Sequence, residues 1–175
     1  TNKLLLSSGA NIKEINSVRK HLSQFKGGNL IKTCYPAKIH GLILSDVIGD
    51  DLGSISSGIT TFDETNFSDV VSILKKYKLW KKIPIKVKNH ISNGLKDVNL
   101  ETPKKNNKIF KETTNTLIGS NTMCLKSIDS YCKKKKLNSK IIFDNIDMDV
   151  KKFSEYFVKK IKKIKNKKPL ILLSG

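Results

Sequence analysis

Three carboxylates follow directly on one short apolar run, in the stretch Leu42-Ile43-Leu44-Ser45-Asp46-Val47-Ile48-Gly49-Asp50-Asp51. Carboxylates in such a place can hold Mg²⁺, which takes one or two of them together with waters and phosphate oxygens. Gly49 permits a tight turn ahead of Asp50 and Asp51. The same residues also serve as a polar turn in which an Asp caps the next element. A second group is Lys26-Gly27-Gly28 ahead of a helix start, where glycine backbone N–H groups can approach a phosphate and a lysine adds charge. It lacks the GxxxxGK[ST] pattern of a P-loop, and a plain turn is the other reading. Ile118-Gly119-Ser120-Asn121 runs from a strand through glycine into a helix headed by Ser and Asn, which has the form of an anion cradle and equally of an ordinary N-cap. Gly53-Ser54-Ile55-Ser56-Ser57-Gly58-Ile59-Thr60 wraps an anion or forms a flexible loop. Lys20 and His21 lie side by side on the polar side of a helix, placed to meet an anion or simply solvated. His40, inside an apolar strand, reads as a core histidine, and His90 has no motif around it.

The elements that must position these residues follow from periodicity and caps. Asn2 to Leu6 reads as a helix closed by Gly9. Asn11 caps the next helix with Glu14 three residues on, as in a capping box, and Ile12, Ile15, Val18 and Leu22 share a face. A short helix over Asn29 to Cys34 ends at Pro36. Ile39 to Leu44 has strand length and suits burial on both faces of a parallel sheet. Asn66 to Tyr77 is amphipathic on Phe67, Val70, Val71, Leu74 and Tyr77. Pro84 can open a helix that ends near Gly94, with Val87, Ile91 and Leu95 at helical spacing. Asp97 to Thr113 reads as a polar loop. The remainder alternates: strand Thr116 to Ile118, helix Asn121 to Lys136, strand Ile141 to Phe143, helix Val150 to Lys165, strand Leu170 to Leu173. That order predicts an α/β fold with a mostly parallel sheet covered by helices. In open α/β sheets ligands bind outside the carboxyl ends of the strands, where the Asp46 and Gly119 groups fall. No repeat or linker marks a second domain, so the 175 residues read as part of one α/β domain.

Composition narrows the function classes. The net charge of +19 suggests a nucleic-acid partner, but Arg19 is the sole arginine among the 34 basic residues. Base and phosphate recognition favours the bidentate guanidinium fork, so a solvated lysine-rich surface is the plainer account. No apolar run approaches the roughly 20 residues of a membrane helix. Cys34, Cys124 and Cys132 are odd in number and far apart, which fits a reducing compartment rather than a disulfide framework. No CxxC pair or zinc spacing occurs, and no cysteine lies near a histidine in sequence. The chain does not begin with Met, and both ends read as cut.

Several blocks in order resemble the MOFRL-type glycerate 2-kinases, which are often labelled hydroxypyruvate reductases. Residues Ser8 to Ser23, SGANIKEINSVRKHLS, followed by Lys26-Gly27-Gly28, are similar to a signature of that family. Leu44 to Asp51 looks like its strand-end acid motif. Ser57-Gly58-Ile59-Thr60 looks like its serine-glycine-proline-threonine loop with Ile59 in place of proline. Glu101-Thr102-Pro103-Lys104 and Leu117 to Asn121 match further blocks, and Leu172-Leu173-Ser174-Gly175 looks like the start of its glycine-rich SGGE segment. Two departures stand out. The family's second glycine-rich segment, its upstream lysine region and its C-terminal MOFRL domain are missing from these 175 residues. Ile146-Asp147-Met148-Asp149 replaces the usual glycine-glutamate-alanine pattern.

The resemblance implies that the 175 residues are part of a nucleotide- and substrate-binding α/β domain, doubly wound and Rossmann-like, with helices on both faces of a mostly parallel sheet. It implies a cytoplasmic kinase that uses ATP and Mg²⁺ and acts on the 2-hydroxyl of D-glycerate, with no membrane or specific nucleic-acid partner. Asp46, with Asp50 or Asp51, is expected to hold Mg²⁺ or orient the hydroxyl. Lys20, His21 and Lys26 are expected to face the substrate carboxylate or the phosphates. Backbone N–H groups of Gly27, Gly28, Gly119, Ser120 and Asn121 are expected to contact anions, with Ser45, Ser57 and Gly58 beside them. A homo-oligomer, a hydroxypyruvate reductase-type oxidoreductase, a basic nucleic-acid-binding module and an inactive fragment stay open as alternatives. No GxGxxG fingerprint supports the reductase.

Overall fold

A computed structural model describes residues 1–164 and 170–174. The chain is α/β, with seven helices and four strands among the described residues. Helices α1 (Asn2–Ser7), α2 (Ile12–His21) and α3 (Asn29–Cys34) precede strand β1 (Ile39–Leu44). Helices α4 (Phe67–Lys76) and α5 (Ile85–Gly94) lead to β2 (Thr113–Gly119). Then α6 (Asn121–Lys134), β3 (Ser139–Phe143), α7 (Val150–Lys162) and β4 (Leu170–Leu173) alternate. Lys165, expected to end α7, and Gly175, the last residue of the glycine-rich match, lie outside the described residues. Among the described residues no helix is long and apolar enough to cross a membrane.

Contacts divide the chain into two compact units, where the sequence shows no linker. The first comprises Thr1–Leu42 and Asp51–Thr116. Its helices start where local chemistry stops the extended chain. Asn11 Oδ1 accepts the Glu14 N–H at 2.9 Å while Glu14 Oε2 accepts the Asn11 N–H at 3.0 Å, closing the expected capping box. Asn66 and Asp69 close a second box on α4. Pro84 sits one position before α5 as its cap. The apolar stripes of α1, α2, α4 and α5 meet in one core that includes Leu5, Ile15, Val18, Phe67, Val70, Leu74 and Ile91. Burying each such side chain is worth roughly 1.5–3 kcal/mol. Gly94 lets α5 approach Phe67: a Cβ there would fall 2.3 Å from the ring. The segment expected to be a loop over Asp97 to Thr113 contains two 3₁₀ turns, Val98–Leu100 and Lys108–Glu112.

The second unit comprises Ile43–Asp50 and Leu117–Gly175. Within it β3 and β4 pair in parallel, with Ser139 opposite Leu170 and Ile141 opposite Leu172. Helix α7 forms the crossover and lays Phe153 and Phe157 on Phe143 of β3, ring centroids 5.2 and 6.2 Å apart. Helix α6 packs on the same two strands and buries Leu125 and Cys132. Its other expected inward residues, Cys124, Ile128 and Tyr131, are exposed.

Strand β1 pairs with β2, so the described strands form two ladders rather than one continuous sheet. Burial along β1 alternates with every second residue exposed, which corrects the expectation of burial on both faces. His40 is one of the exposed residues and is not a core histidine. Pleating puts His40, Leu42 and Leu44 on the same, open side.

Candidate functional site

The two strand-end motifs come together. A cavity of about 750 Å³ is lined by Leu44, Ser45 and Asp46 from the end of β1, by Ile118, Gly119 and Ser120 from the end of β2, and by Asn121, Met123, Cys124 and Ser127 of α6. All of them belong to the second unit. The Ser45 N–H donates to Gly119 O at 2.9 Å and ties the two strand ends together. Ser45 Oγ accepts the Val47 N–H at 3.2 Å, so the buried serine fixes the turn on which Asp46 stands. Asp46 is exposed at the cavity. Gly119 leaves room for Leu44, whose Cδ1 would lie 2.6 Å from an added Cβ. Ser120 caps α6 by accepting the Met123 N–H at 3.3 Å. The positive end of the α6 dipole therefore faces the region the cavity occupies, and it favours an anionic group there.

The carboxylates divide. Gly49 and Asp50 both take left-handed conformations, φ 80° and 54°, which makes the tight turn expected after Asp46. Asp51 spends its carboxylate locally, accepting from Ser54 Oγ at 2.6 Å and the Gly53 N–H at 3.1 Å. The Ser54 bond holds its carboxyl below the usual range; burial opposes this, and the Gly53 N–H and the fields of Lys20 and Lys13 reinforce it. Among the described residues no three His, Cys, Asp or Glu side chains converge on a metal position, so Asp46, Asp50 and Asp51 do not form one chelating set. A magnesium site needs only one or two carboxylates beside waters and phosphate oxygens, and exposed Asp46 fits that chemistry.

Lys20 and His21 point into the protein rather than into solvent. Both are buried in the first unit, on the side of α2 that the apolar pattern left as polar. Lys20 Nζ lies 3.3 Å from Asp63 Oδ1, and Asp63 is completely buried. Asp63 also accepts from Thr65 Oγ1 at 2.9 Å, the Thr65 N–H at 3.1 Å and Thr102 Oγ1 at 3.1 Å. His21 Nδ1 lies 2.8 Å from Ser17 O, and Nε2 lies 2.8 Å from Glu101 Oε1. Glu101 further accepts the Phe67 and Thr102 N–H groups and Lys104 Nζ. Burial pushes the Glu101 carboxyl up, but the bonds from His21, Thr102 and Phe67 outweigh it and bring it to about 2. Every buried side-chain nitrogen and oxygen among the described residues has a partner. Two side chains that looked available for substrate are thus held inside a hydrogen-bonded network, because a buried polar or charged group is tolerable only when paired.

The Lys26-Gly27-Gly28 group and the Ser57-Gly58 group are also brought together, but as a latch. The Gly27 N–H donates to Ser57 O at 3.0 Å and the Gly28 N–H to Gly58 O at 2.8 Å. Lys26 Nζ donates to Ser56 O at 2.8 Å, and buried Ser57 Oγ donates to Asn16 Oδ1 at 2.9 Å. These donors are spent on the protein's own carbonyls, so the predicted phosphate cradle at Gly27 and Gly28 is not formed. Gly28 (φ 81°) has no room for a Cβ, which would fall 2.9 Å from Thr61 O.

Asp63 was not singled out in the sequence, and Glu101 and Thr102 stood out there only as part of a block matched by the resemblance. Met123, Cys124 and Ser127 had a readable signal, since they follow Ser120 at helical spacing and so share its side of α6.

The chain is α/β, with a cavity at paired strand ends and at the head of a helix, the place where open α/β sheets bind their ligands. The family described as "Domain of unknown function (DUF4147)" matches residues 1–92. The glycerate 2-kinase of Pyrococcus horikoshii is 40% identical over 151 residues, covering 86% of this chain and 33% of that protein. The D-glycerate 2-kinase of Thermotoga maritima is 35% identical over 177 residues, covering 98% of this chain and 39% of its own length. The crystal structure of the Thermotoga maritima glycerate kinase superposes with a TM-score of 0.79 at 34% identity, over 99% of this chain and 40% of that one. The chain belongs to the DUF4147 family, the N-terminal domain of MOFRL-type glycerate kinases. It spans a third to two fifths of the length of these relatives.

Proposed function

We propose that the protein carrying this chain is a D-glycerate 2-kinase, which transfers the γ-phosphate of ATP to the 2-hydroxyl of D-glycerate in a Mg²⁺-dependent reaction. The observation that carries this reading is the likeness, in sequence and in fold, to the Thermotoga maritima kinase across nearly the whole chain. The geometry is in keeping with it. Phosphoryl transfer needs positioning and charge neutralisation more than covalent chemistry from the protein. The hydroxyl oxygen bonds to the γ-phosphorus, the bond from that phosphorus to the bridging oxygen breaks, ADP leaves and the hydroxyl proton is released. Mg²⁺, when bound, neutralises charge on the phosphate oxygens. Asp46 is the carboxylate assigned to Mg²⁺ or to the attacking hydroxyl. The start of α6, with Ser120 and Asn121, is assigned to anionic oxygens. Lys20 and His21 hold the fold of the first unit and take no part in the transfer. The three free cysteines are in keeping with a cytoplasmic enzyme.

A coupled ATP-consumption assay on the full-length protein tests the reading. D-glycerate-dependent turnover that chelation of Mg²⁺ abolishes is expected, and Asp46→Asn should lower kcat by about 10²–10³-fold with folding unchanged. Near-normal turnover in that variant would remove Asp46 from the assignment, and no turnover in the folded wild type would remove the kinase.

A further inference from the structure

We infer that Arg19, Ser23 and Lys26 form a binding site for the phosphate group of a small phosphorylated molecule. The site goes beyond the kinase reading and does not depend on it.

The last turn of α2 carries three basic residues, Arg19, Lys20 and His21. Lys20 and His21 turn inward, and Arg19 opens on a cavity. The cavity measures about 450 Å³ and is lined by Thr1, Asn2, Arg19, Leu22, Ser23 and Lys26, all in the first unit. None of these residues lines the cavity at the ends of β1 and β2. Arg19 and Lys26 bring two positive charges, and no acid stands among the lining residues. Among the described residues no carboxylate forms an ion pair with Arg19. The α2 dipole favours a cation in its last turn, which accounts for the charge of Arg19 but not for the cavity it shares with Lys26.

The donors are arranged in advance. Lys26 Nζ is held by Ser56 O at 2.8 Å, and an ammonium has two more N–H bonds to offer. Ser23 Oγ accepts the Phe25 and Lys26 N–H groups, each at 3.2 Å, which leaves its own hydrogen to donate. A carboxylate has two oxygens and one charge, and the guanidinium fork alone satisfies it. A phosphate monoester has three peripheral oxygens and about two negative charges, which match guanidinium, ammonium and hydroxyl together. The rest of the cavity gives room for the organic part of the ligand.

Arg19 is the sole arginine of the 175 residues, so one peptide reports on it. The full-length protein is treated with phenylglyoxal, an arginine-selective reagent, and modification of Arg19 is followed by peptide mass spectrometry. Inorganic phosphate is the probe. At ten times its half-saturating concentration it should slow modification about tenfold. Sodium chloride at matched ionic strength and D-glycerate at matched concentration should leave the rate unchanged. Lys26→Gln, shown to be folded by its Trp80 fluorescence, should raise the half-saturating phosphate concentration about tenfold or more, the worth of one hydrogen bond to a charged group. Failure of phosphate to protect overturns the inference. So does protection by chloride or D-glycerate as strong as that by phosphate, or a phosphate effect that Lys26→Gln leaves intact. An Arg19 that does not react in the free protein is already held by the rest of the chain, which overturns it as well. The kinase reading stands or falls on turnover, and none of these results touches it.

Discussion

Replacing Asp63 by Ala probes the buried network most sharply. Asp63 has no exposed surface and accepts from Lys20 Nζ, Thr65 Oγ1, the Thr65 N–H and Thr102 Oγ1. Its removal leaves the buried Lys20 ammonium without its counter-charge and strips partners from two threonines. Removing one member of a buried pair costs about 3–5 kcal/mol, because the surviving charge stays desolvated. For a chain of this size that lowers Tm by about 6–20 °C. Trp80, the sole tryptophan, packs against the core of the same unit and reports its unfolding by fluorescence during a urea titration. The double variant Asp63→Leu with Lys20→Met removes both charges and should recover a large part of the loss, since well-packed apolar replacements of a buried pair are often neutral. A loss under about 1 kcal/mol for Asp63→Ala, or a double variant no better than the single, would refute the pairing and its burial.

Three further outcomes follow from the same geometry. The Glu101 carboxyl lies at about 2 in the folded chain against an ordinary value of 4.5, so its stabilising contribution is complete above pH 4.5 and is lost as the pH falls toward 2. Acid titration of Tm should therefore show a steeper decline over that window in wild type than in Glu101→Gln. Gly94→Ala forces a methyl into the Phe67 ring and should destabilise the first unit by about 1–3 kcal/mol in the urea titration. Asn66→Ala removes the side-chain acceptor of the Ser68 and Asp69 N–H groups and should cost about 1 kcal/mol by the same measurement.

What could be read in the sequence were the features decided by neighbours along the chain. The Asn11–Glu14 box, the glycine stop at Gly9, the strand Ile39–Leu44 and the Ser120 cap follow from residues within one turn of one another. The strand-end placement of Asp46 and Gly119 was legible for the same reason, and the structure adds that these two ends share one cavity. The fate of Lys20 and His21 was not legible. Their partners Asp63 and Glu101 lie 43 and 80 residues farther along, and helical periodicity cannot separate a buried paired lysine from a solvated one. Gly27 and Gly28 misled for a related reason. Glycine reports that a backbone N–H can be approached closely, not whether a phosphate or the carbonyl of Ser57 or Gly58 does so. The apolar run of β1 suggested cover on both faces, but pleating leaves Leu42 and Leu44 open.

Transfer of phosphate to glycerate is tested most directly by incubating the full-length protein with ATP, Mg²⁺ and D-glycerate and reading the phosphorus NMR spectrum of the products. The proposed kinase yields 2-phosphoglycerate and ADP in equal amounts from wild type, with formation slowed by two to three orders of magnitude in Asp46→Asn. A folded protein that yields 3-phosphoglycerate contradicts the assigned hydroxyl, and one that yields no phosphoglycerate contradicts the kinase itself.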